Sequence, residues 1–347
     1  MQIIESGARS RGSSPVAITV VALVAVAFWS LKPIFITIVG DRGGFGVVYV
    51  ASAAISLVVS AAAVVFLRRD AHALLRAGNL ARYGAGQAAA SGLFLALWYY
   101  GFYRALYTAP KADATIIAFT WPLIAVIATP FLARTPIRKL SRMQWLMVLA
   151  SFAGAVAIAV SDSGDHAPAG SSSAGIVWAF AAALGSGLYL PFALNATGAF
   201  EGVLGSKPKA TFFAVSIANA TALVAVLAGL AGTGHALHFE SFDLTAVAIC
   251  ALIGVGTYLV AELAWTWAFR ENRSLALSSL PYLSPAVSVV LLLLLFSEPV
   301  RPVAAVGLAV IVAANLGVHV TGRPRQGRPV DRAVPVGADA GELRSQA

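Results

Sequence analysis

The chain has 347 residues, of which 59% are hydrophobic and only 11% charged, with a mean hydropathy of +0.81 and a formal net charge of +9. A soluble domain carries about a quarter charged residues, so this composition excludes an ordinary water-covered globule. The single Cys250 excludes a disulfide framework.

Crossing a bilayer takes about 20 apolar residues, and ten segments meet that length: 16–39, 45–67, 83–107, 112–133, 143–160, 174–199, 210–231, 244–269, 275–296 and 302–320. Arg9 and Arg11 ahead of the first run resemble a signal peptide. That run continues to about Gly40 with no clean small-residue cleavage site, so it reads as an uncleaved first span. Ten spans place 19 of the 24 lysines and arginines on one side, among them Arg68, Arg69, Arg76, Arg82, Arg134, Lys207, Lys209, Arg270 and the tail arginines. Only Arg42, Lys111 and Arg301 fall on the other, while Lys32 and Arg104 lie within spans. The bias predicts an inner-membrane protein with both termini cytoplasmic. It also explains the net charge by membrane anchoring, without nucleic acid.

A shift of 163 positions brings Pro122 onto Pro285, Pro136 onto Pro299, Arg138 onto Arg301 and Gly154 onto Gly317. Pro33 pairs with Pro191 at an offset of 158, the difference being taken up in the connections. Five spans per copy is an odd number, so the copies enter the membrane in opposite senses. The expected fold is an all-α membrane protein of ten transmembrane helices in two inverted five-helix repeats. Its segments are a cytoplasmic N-terminal piece (1–15), a first repeat (16–161), an external linker (162–173), a second repeat (174–321) and a disordered cytoplasmic tail (322–347). Pro122 and Pro285 each interrupt an apolar run, because proline removes a helix hydrogen bond. Such breaks persist in a membrane only where protein or a water-filled cavity lines them. Paired breaks in two halves point to a transporter's binding site, with the prolines as hinges.

Two ionisable groups lie in the middle of spans. A charge at mid-membrane costs roughly 2.5–3.5 kcal/mol on the lenient insertion scale. Lys32, in the first span, either snorkels outward or pairs with Asp41, or it faces a cavity and meets a substrate carboxylate. Glu262, in the eighth, either pairs with a base, carries a coupling proton or recognises an amino group. Tyr99 and Tyr103 share one helix face by their i, i+4 spacing. Trp98, Tyr100 and Phe102 are expected on other faces, and Arg104 is expected to snorkel. Trp29, Trp121, Tyr189, Tyr258, Trp265 and Tyr282 also sit at intramembrane depth, where aromatic belts do not place them. Aromatic walls with a few polar tips suit an apolar ligand with a zwitterionic head. No phosphate-binding glycine loop and no histidine spacing for a metal occurs, so neither cofactor nor metal is expected.

Ten spans in two inverted halves resemble the drug/metabolite transporter superfamily in its branch with paired EamA domains. Within it, Phe28-Trp-Ser30, Thr120-Trp-Pro122 and Tyr282-Leu-Ser-Pro285 look like the YddG-type aromatic amino acid exporters. The resemblance covers roughly residues 16–320. It implies a non-enzymatic secondary exporter of neutral or amphipathic amino acids, aromatic ones first, with threonine, methionine and similar metabolites as further candidates. Transport would run by alternating access, in a monomer or a dimer. The implied substrate liners are Trp29, Lys32, Tyr99, Tyr103, Trp121, Tyr189, Tyr258, Glu262 and Tyr282. Two residues depart from the family pattern: Thr135 stands where a Glu is common, although Glu298 is kept in the second half, and Lys32 is not a residue the branch leads one to expect. Small multidrug exporters of the superfamily have a glutamate in the first span, so the lysine here favours carboxylate-bearing substrates over cationic drugs. A membrane-embedded enzyme acting on a lipid or isoprenoid, an exporter of drugs and a passive channel are the competing readings.

Overall fold

The computed structural model describes residues 14–134, 141–161, 173–232, 237, 242–272, 277–297, 300 and 302–322. Thr135, Pro136, Arg138, Glu298, Pro299, Arg301, most of the external linker, most of the N-terminal piece and the tail beyond Gly322 lie outside the described residues, as does the side chain of Asp41.

The described chain is helical almost throughout and contains no strand: α1 (Pro15–Phe66), α2 (Arg68–Arg76), α3 (Asn79–Thr108), α4 (Lys111–Ala118), α5 (Trp121–Leu132), α6 (Arg142–Ser161), α7 (Ser173–Leu204), α8 (Lys207–Gly232), α9 (Leu244–Ala251), a π-helix (Leu252–Ala261), α10 (Glu262–Asn272), a 3-10 helix (Leu277–Tyr282), α11 (Leu283–Phe296) and α12 (Pro302–Gly322). Six helical stretches are long and apolar enough to cross a membrane: Val16–Gly40, Gly44–Phe66, Lys111–Leu132, Ser173–Leu204, Lys207–Gly232 and Leu244–Glu271. They make this a helical, membrane-embedded protein. The other segments read as spans fall in α3, α6, α11 with its leading 3-10 turn, and α12, which are less apolar or shorter. The first two spans follow one another almost without a loop. Gly44, at φ 71° and ψ 170°, makes the reversal, a backbone state that only glycine adopts without strain.

Both apolar runs that hold the paired prolines are broken just before the proline. Between α4 and α5 the chain leaves the helix at Phe119 and Thr120, and Pro122 then sits in the first turn of α5, where no donor is missed. In the second run the 3-10 turn ends at Tyr282 and α11 begins at Leu283, with Pro285 in its first turn. Pro122 and Pro285 are both buried. The first span also carries Pro33, which has no N–H to give the carbonyl of Trp29.

Small residues let the helices approach. A Cβ on Gly185 of α7 would lie 2.6 Å from the Phe94 carbonyl of α3. One on Gly254 would collide with the Ser52 carbonyl of α1, so the π-helix lies directly on the second arm of α1. α6 and α12 form a pair at the periphery: a Cβ on Gly154 would lie 3.1 Å from the Gly307 carbonyl, and one on Gly317 would lie 2.9 Å from Met147 Sδ.

The two ends of the bundle are closed by different chemistry. At the arginine-rich end Arg270 of α10 pairs with Glu201 of α7, Lys207 with Glu271 at 2.9 Å and Lys209 with Asp70 at 2.9 Å. There Asn195 of α7 donates to Gln87 Oε1 and the Leu132 carbonyl, each at 3.0 Å, and accepts from the Arg134 N–H at 2.9 Å. At the opposite end Phe45 packs on Tyr100 and Tyr107, with ring centroids 5.5 and 6.2 Å apart, and Tyr100 packs on Trp178 at 5.2 Å. Arg104 is half-buried in this end with its guanidinium 5.3 Å from the Phe45 ring and its Nε shielded from solvent.

Gly254→Val should destabilise the fold by about 1–3 kcal/mol through overpacking. It should appear as a lower unfolding midpoint in detergent, while Gly86→Val, where a Cβ meets nothing within 4 Å, should leave the midpoint unchanged.

Candidate functional site

Trp29 and Lys32 are three residues apart on α1 and therefore share a face. The face points inward: Trp29 is 5% exposed and Lys32 is wholly buried. Lys32 Nζ finds no hydrogen-bond acceptor among the described residues. It sits instead among five aromatic rings, 4.8 Å from Trp98, 4.6 Å from Tyr99, 5.1 Å from Phe102, 5.8 Å from Tyr103 and 5.4 Å from Tyr258. Full burial corrects the snorkelling reading of this lysine, while the pairing with Asp41 concerns a side chain outside the described residues. The chain emerges mid-span, beside Pro33, and points into the bundle instead of along it.

Four of those rings come from α3. Successive residues on a helix differ by about 100°, so Trp98 and Phe102 form one column and Tyr99 and Tyr103 the next. The ammonium lies over the furrow between the columns and touches both. This corrects the expectation that Trp98 and Phe102 face elsewhere. Phe102 is fully buried and Trp98 stacks on it at 5.0 Å. Tyr100 does turn away, towards Phe45 and Trp178.

The fifth ring, Tyr258, belongs to the π-helix. Its hydroxyl lies 2.8 Å from that of Tyr103, and its ring lies 4.2 Å from Tyr99. Asn219 of α8 holds this corner: it donates to the Tyr258 carbonyl at 2.7 Å and accepts from the Tyr99 hydroxyl at 3.3 Å. Tyr49, from the second arm of α1, packs on Tyr99, Tyr103 and Tyr258 at 5.5–6.0 Å, and its buried hydroxyl has no partner. Tyr49 and Asn219 were not signalled by the sequence, since neither interrupts an apolar pattern.

One turn beyond Tyr258, the π-helix hands over to α10 at Glu262, which is 4% exposed. The Glu262 carboxyl faces the polar tips of Tyr189 and Trp29, and it feels Lys32 electrostatically without an ion-pair contact. Tyr189, from α7, also lies 3.2 Å from the Thr266 hydroxyl. Above the carboxyl, three tryptophans from three helices meet edge to face: Trp29–Trp121 and Trp29–Trp265 at 5.6 Å, and Trp121–Trp265 at 5.9 Å. The indole N–H of Trp265 is buried without an acceptor. Trp121 reaches this point because the break at Phe119–Thr120 lets α5 restart inside the bundle. Between the indoles and Glu262 is a closed hollow, also lined by Trp98, Ser186 and Tyr189, with space for about one water molecule.

Eight of the nine expected liners, Trp29, Lys32, Tyr99, Tyr103, Trp121, Tyr189, Tyr258 and Glu262, thus fall in two adjoining aromatic clusters that share Trp98. The side chain of Tyr282 lies outside the described residues. Pro285 sits behind the site. Its neighbour Ser284 lies 3.2 Å from the Ser30 hydroxyl, and Ser288 donates to the Ser30 carbonyl at 2.8 Å, so α11 is tied to α1 one residue from Trp29.

Desolvating Lys32 costs roughly 2.5–3.5 kcal/mol even on the lenient scale. Cation–π contact returns about 2 kcal/mol where water is excluded. The rings leave a remainder, and Glu262 is the acid whose field Lys32 feels. The site holds a basic and an acidic side chain apart, and the Lys32 amine has hydrogen-bonding capacity to spare.

Neither a family model nor a curated protein matches the chain. Among solved structures 28 chains match. One, a crystal structure described without a function, has a TM-score of 0.58 and 21% identity, covering 89% of this chain and 99% of its own. At that identity the likeness concerns the fold alone.

Lys32→Met and Glu262→Gln each leave the opposite charge buried without compensation, and each should lower stability. The double variant should lose less than the sum, with a coupling of about 0.5–3 kcal/mol measured by unfolding in detergent. Strictly additive losses mean that the two charges do not sense each other.

Proposed function

We propose that this protein is a secondary transporter related to the paired-EamA drug/metabolite transporters, exporting neutral, amphipathic amino acids from the cytoplasm across the inner membrane. The observation that carries this reading is the pair Lys32 and Glu262, a basic and an acidic side chain from the two halves of the chain, buried in adjoining aromatic clusters. An α-amino acid presents a carboxylate and an ammonium a few ångströms apart. Inserted between the two residues, it offers Lys32 the acceptor it lacks and gives Glu262 a donor. The tyrosines and tryptophans around both then hold an apolar side chain. Since the hollow takes about one water molecule, the conformation is closed around the site, and substrate enters only after the helices part.

The ten-span, inverted-repeat topology belongs to the same proposal. It is supported by the matched breaks before Pro122 and Pro285. Further support comes from the peripheral α6–α12 pair, in which Gly154 receives α12 and its register partner Gly317 receives α6. The lysine and arginine bias supports cytoplasmic termini.

Purified protein in liposomes should take up labelled phenylalanine, threonine or methionine above empty vesicles; uptake of none of them sinks the proposal. Two-point recognition has a sharper signature in competition. Phenylalanine should compete on the order of tenfold better than phenethylamine or 3-phenylpropionate, a difference of about 1.4 kcal/mol. Lys32→Met should erase the preference over phenethylamine, and Glu262→Gln the preference over 3-phenylpropionate.

A further inference from the structure

We propose that the groove between α2, α3, α7 and α8 at the arginine-rich end is a binding site for one anionic phospholipid. Arg76 and Arg82 hold its phosphodiester, and an acyl chain lies between α3 and α8. The inference rests on the membrane placement of the helices and is independent of any transport activity.

The groove has a volume of about 530 Å³. One wall is Ala81 and Ala85, one turn apart on α3; the facing wall is Phe213 and Ile217, one turn apart on α8. Two alanines opposite two large side chains leave a slot that runs along the helix axes, about 6 Å per pair at 1.5 Å per residue. That is the direction an acyl chain takes from the interface into the bilayer. Phe200 of α7, almost completely buried, closes the back.

The mouth is built by α2, a short helix between two spans. It buries Leu74 in the bundle and leaves Leu75 83% exposed beside Arg76. A helix that shows both a bare leucine and bare arginines belongs at the headgroup level. Arg76 and Arg82 line the groove, from α2 and α3 respectively. Neither has a hydrogen-bond or ion-pair partner among the described residues. The one acid of α2, Asp70, is bound by Lys209 at 2.9 Å and does not neutralise them. Two uncompensated guanidiniums at the head of an apolar slot complement a phosphodiester above a hydrocarbon chain. Arginine's planar donor fork suits phosphate oxygens, and each basic residue near the surface favours anionic lipid by a comparable increment. A zwitterionic headgroup brings its own ammonium to the same two arginines and is disfavoured.

The test is native mass spectrometry of the full chain in mild detergent, titrated in parallel with dioleoyl phosphatidylglycerol and dioleoyl phosphatidylcholine. One phosphatidylglycerol should be retained on the order of tenfold more strongly than phosphatidylcholine. Arg76→Gln with Arg82→Gln should abolish that preference. Ala85→Trp, which keeps both arginines and fills the slot, should abolish retention of the tight lipid and decides the matter if the arginine variant does not fold. Arg68→Gln with Arg69→Gln, which changes α2 charges outside the groove lining, should leave the preference intact. The inference is overturned if the preference survives either groove change, or if the Arg68/Arg69 variant removes it equally, since general surface charge then accounts for it.

Discussion

A charge buried among helices in a membrane has to be met by other groups, because no water is there to do it. Lys32 imposes that demand on this fold. Its ammonium is enclosed by rings from α3 and the π-helix, and the anion in reach is delivered by α10. To satisfy one lysine, segments from both halves of the chain have to meet at one depth. The same meeting brings in Trp29 from the lysine's own helix face, Trp121 from α5 and Tyr189 from α7. The compensation is incomplete by design of the geometry: rings soften the charge and distance separates it from Glu262. A site with both charges satisfied by each other has nothing left to offer a ligand, and this one keeps them apart.

Irregular backbone supplies the means. The first half breaks its fourth run so that Trp121 starts a new helix in the interior. The second half changes winding twice, by the π-helix ahead of Glu262 and the 3-10 turn ahead of Leu283. A π-turn shifts the phase of everything after it, so Tyr258 and Glu262 present to one enclosure although regular α-helix would set them differently relative to α9. Gly254, pressed against Ser52, permits the π segment to lie on α1 at all.

Much of this was readable from residues alone, and the boundary has physical causes. Charges in apolar runs and prolines inside them stand out because each violates a cost that lipid enforces, so Lys32, Glu262, Pro122 and Pro285 were legible. The tyrosines and tryptophans were legible as a group by depth. Trp98 and Phe102 were assigned the wrong face because a helix buried on several sides has no phase to read. The reach of a lysine across two columns of rings is a tertiary fact. Tyr49 was invisible in a run of small and apolar residues, and Asn219 in an alanine-rich one. The π-helix left no local mark, since its glycines serve close packing and close packing has no single-sequence signature. The reversal at Gly44 falls in the gap left between the apolar runs 16–39 and 45–67, although its backbone conformation was not read from the residues.

The opposite ends of the bundle are fastened by different forces, and α3, thirty residues and about 45 Å long at 1.5 Å per residue, runs between them. At one end the fasteners are ion pairs and amide hydrogen bonds, which dissolved ions and water attenuate over a Debye length of about 8 Å. At the other they are stacked and edge-on rings, to which ions are nearly indifferent. Ionic strength therefore acts on the described ion pairs of the arginine-rich mouth and leaves the ring contacts at the other end nearly untouched.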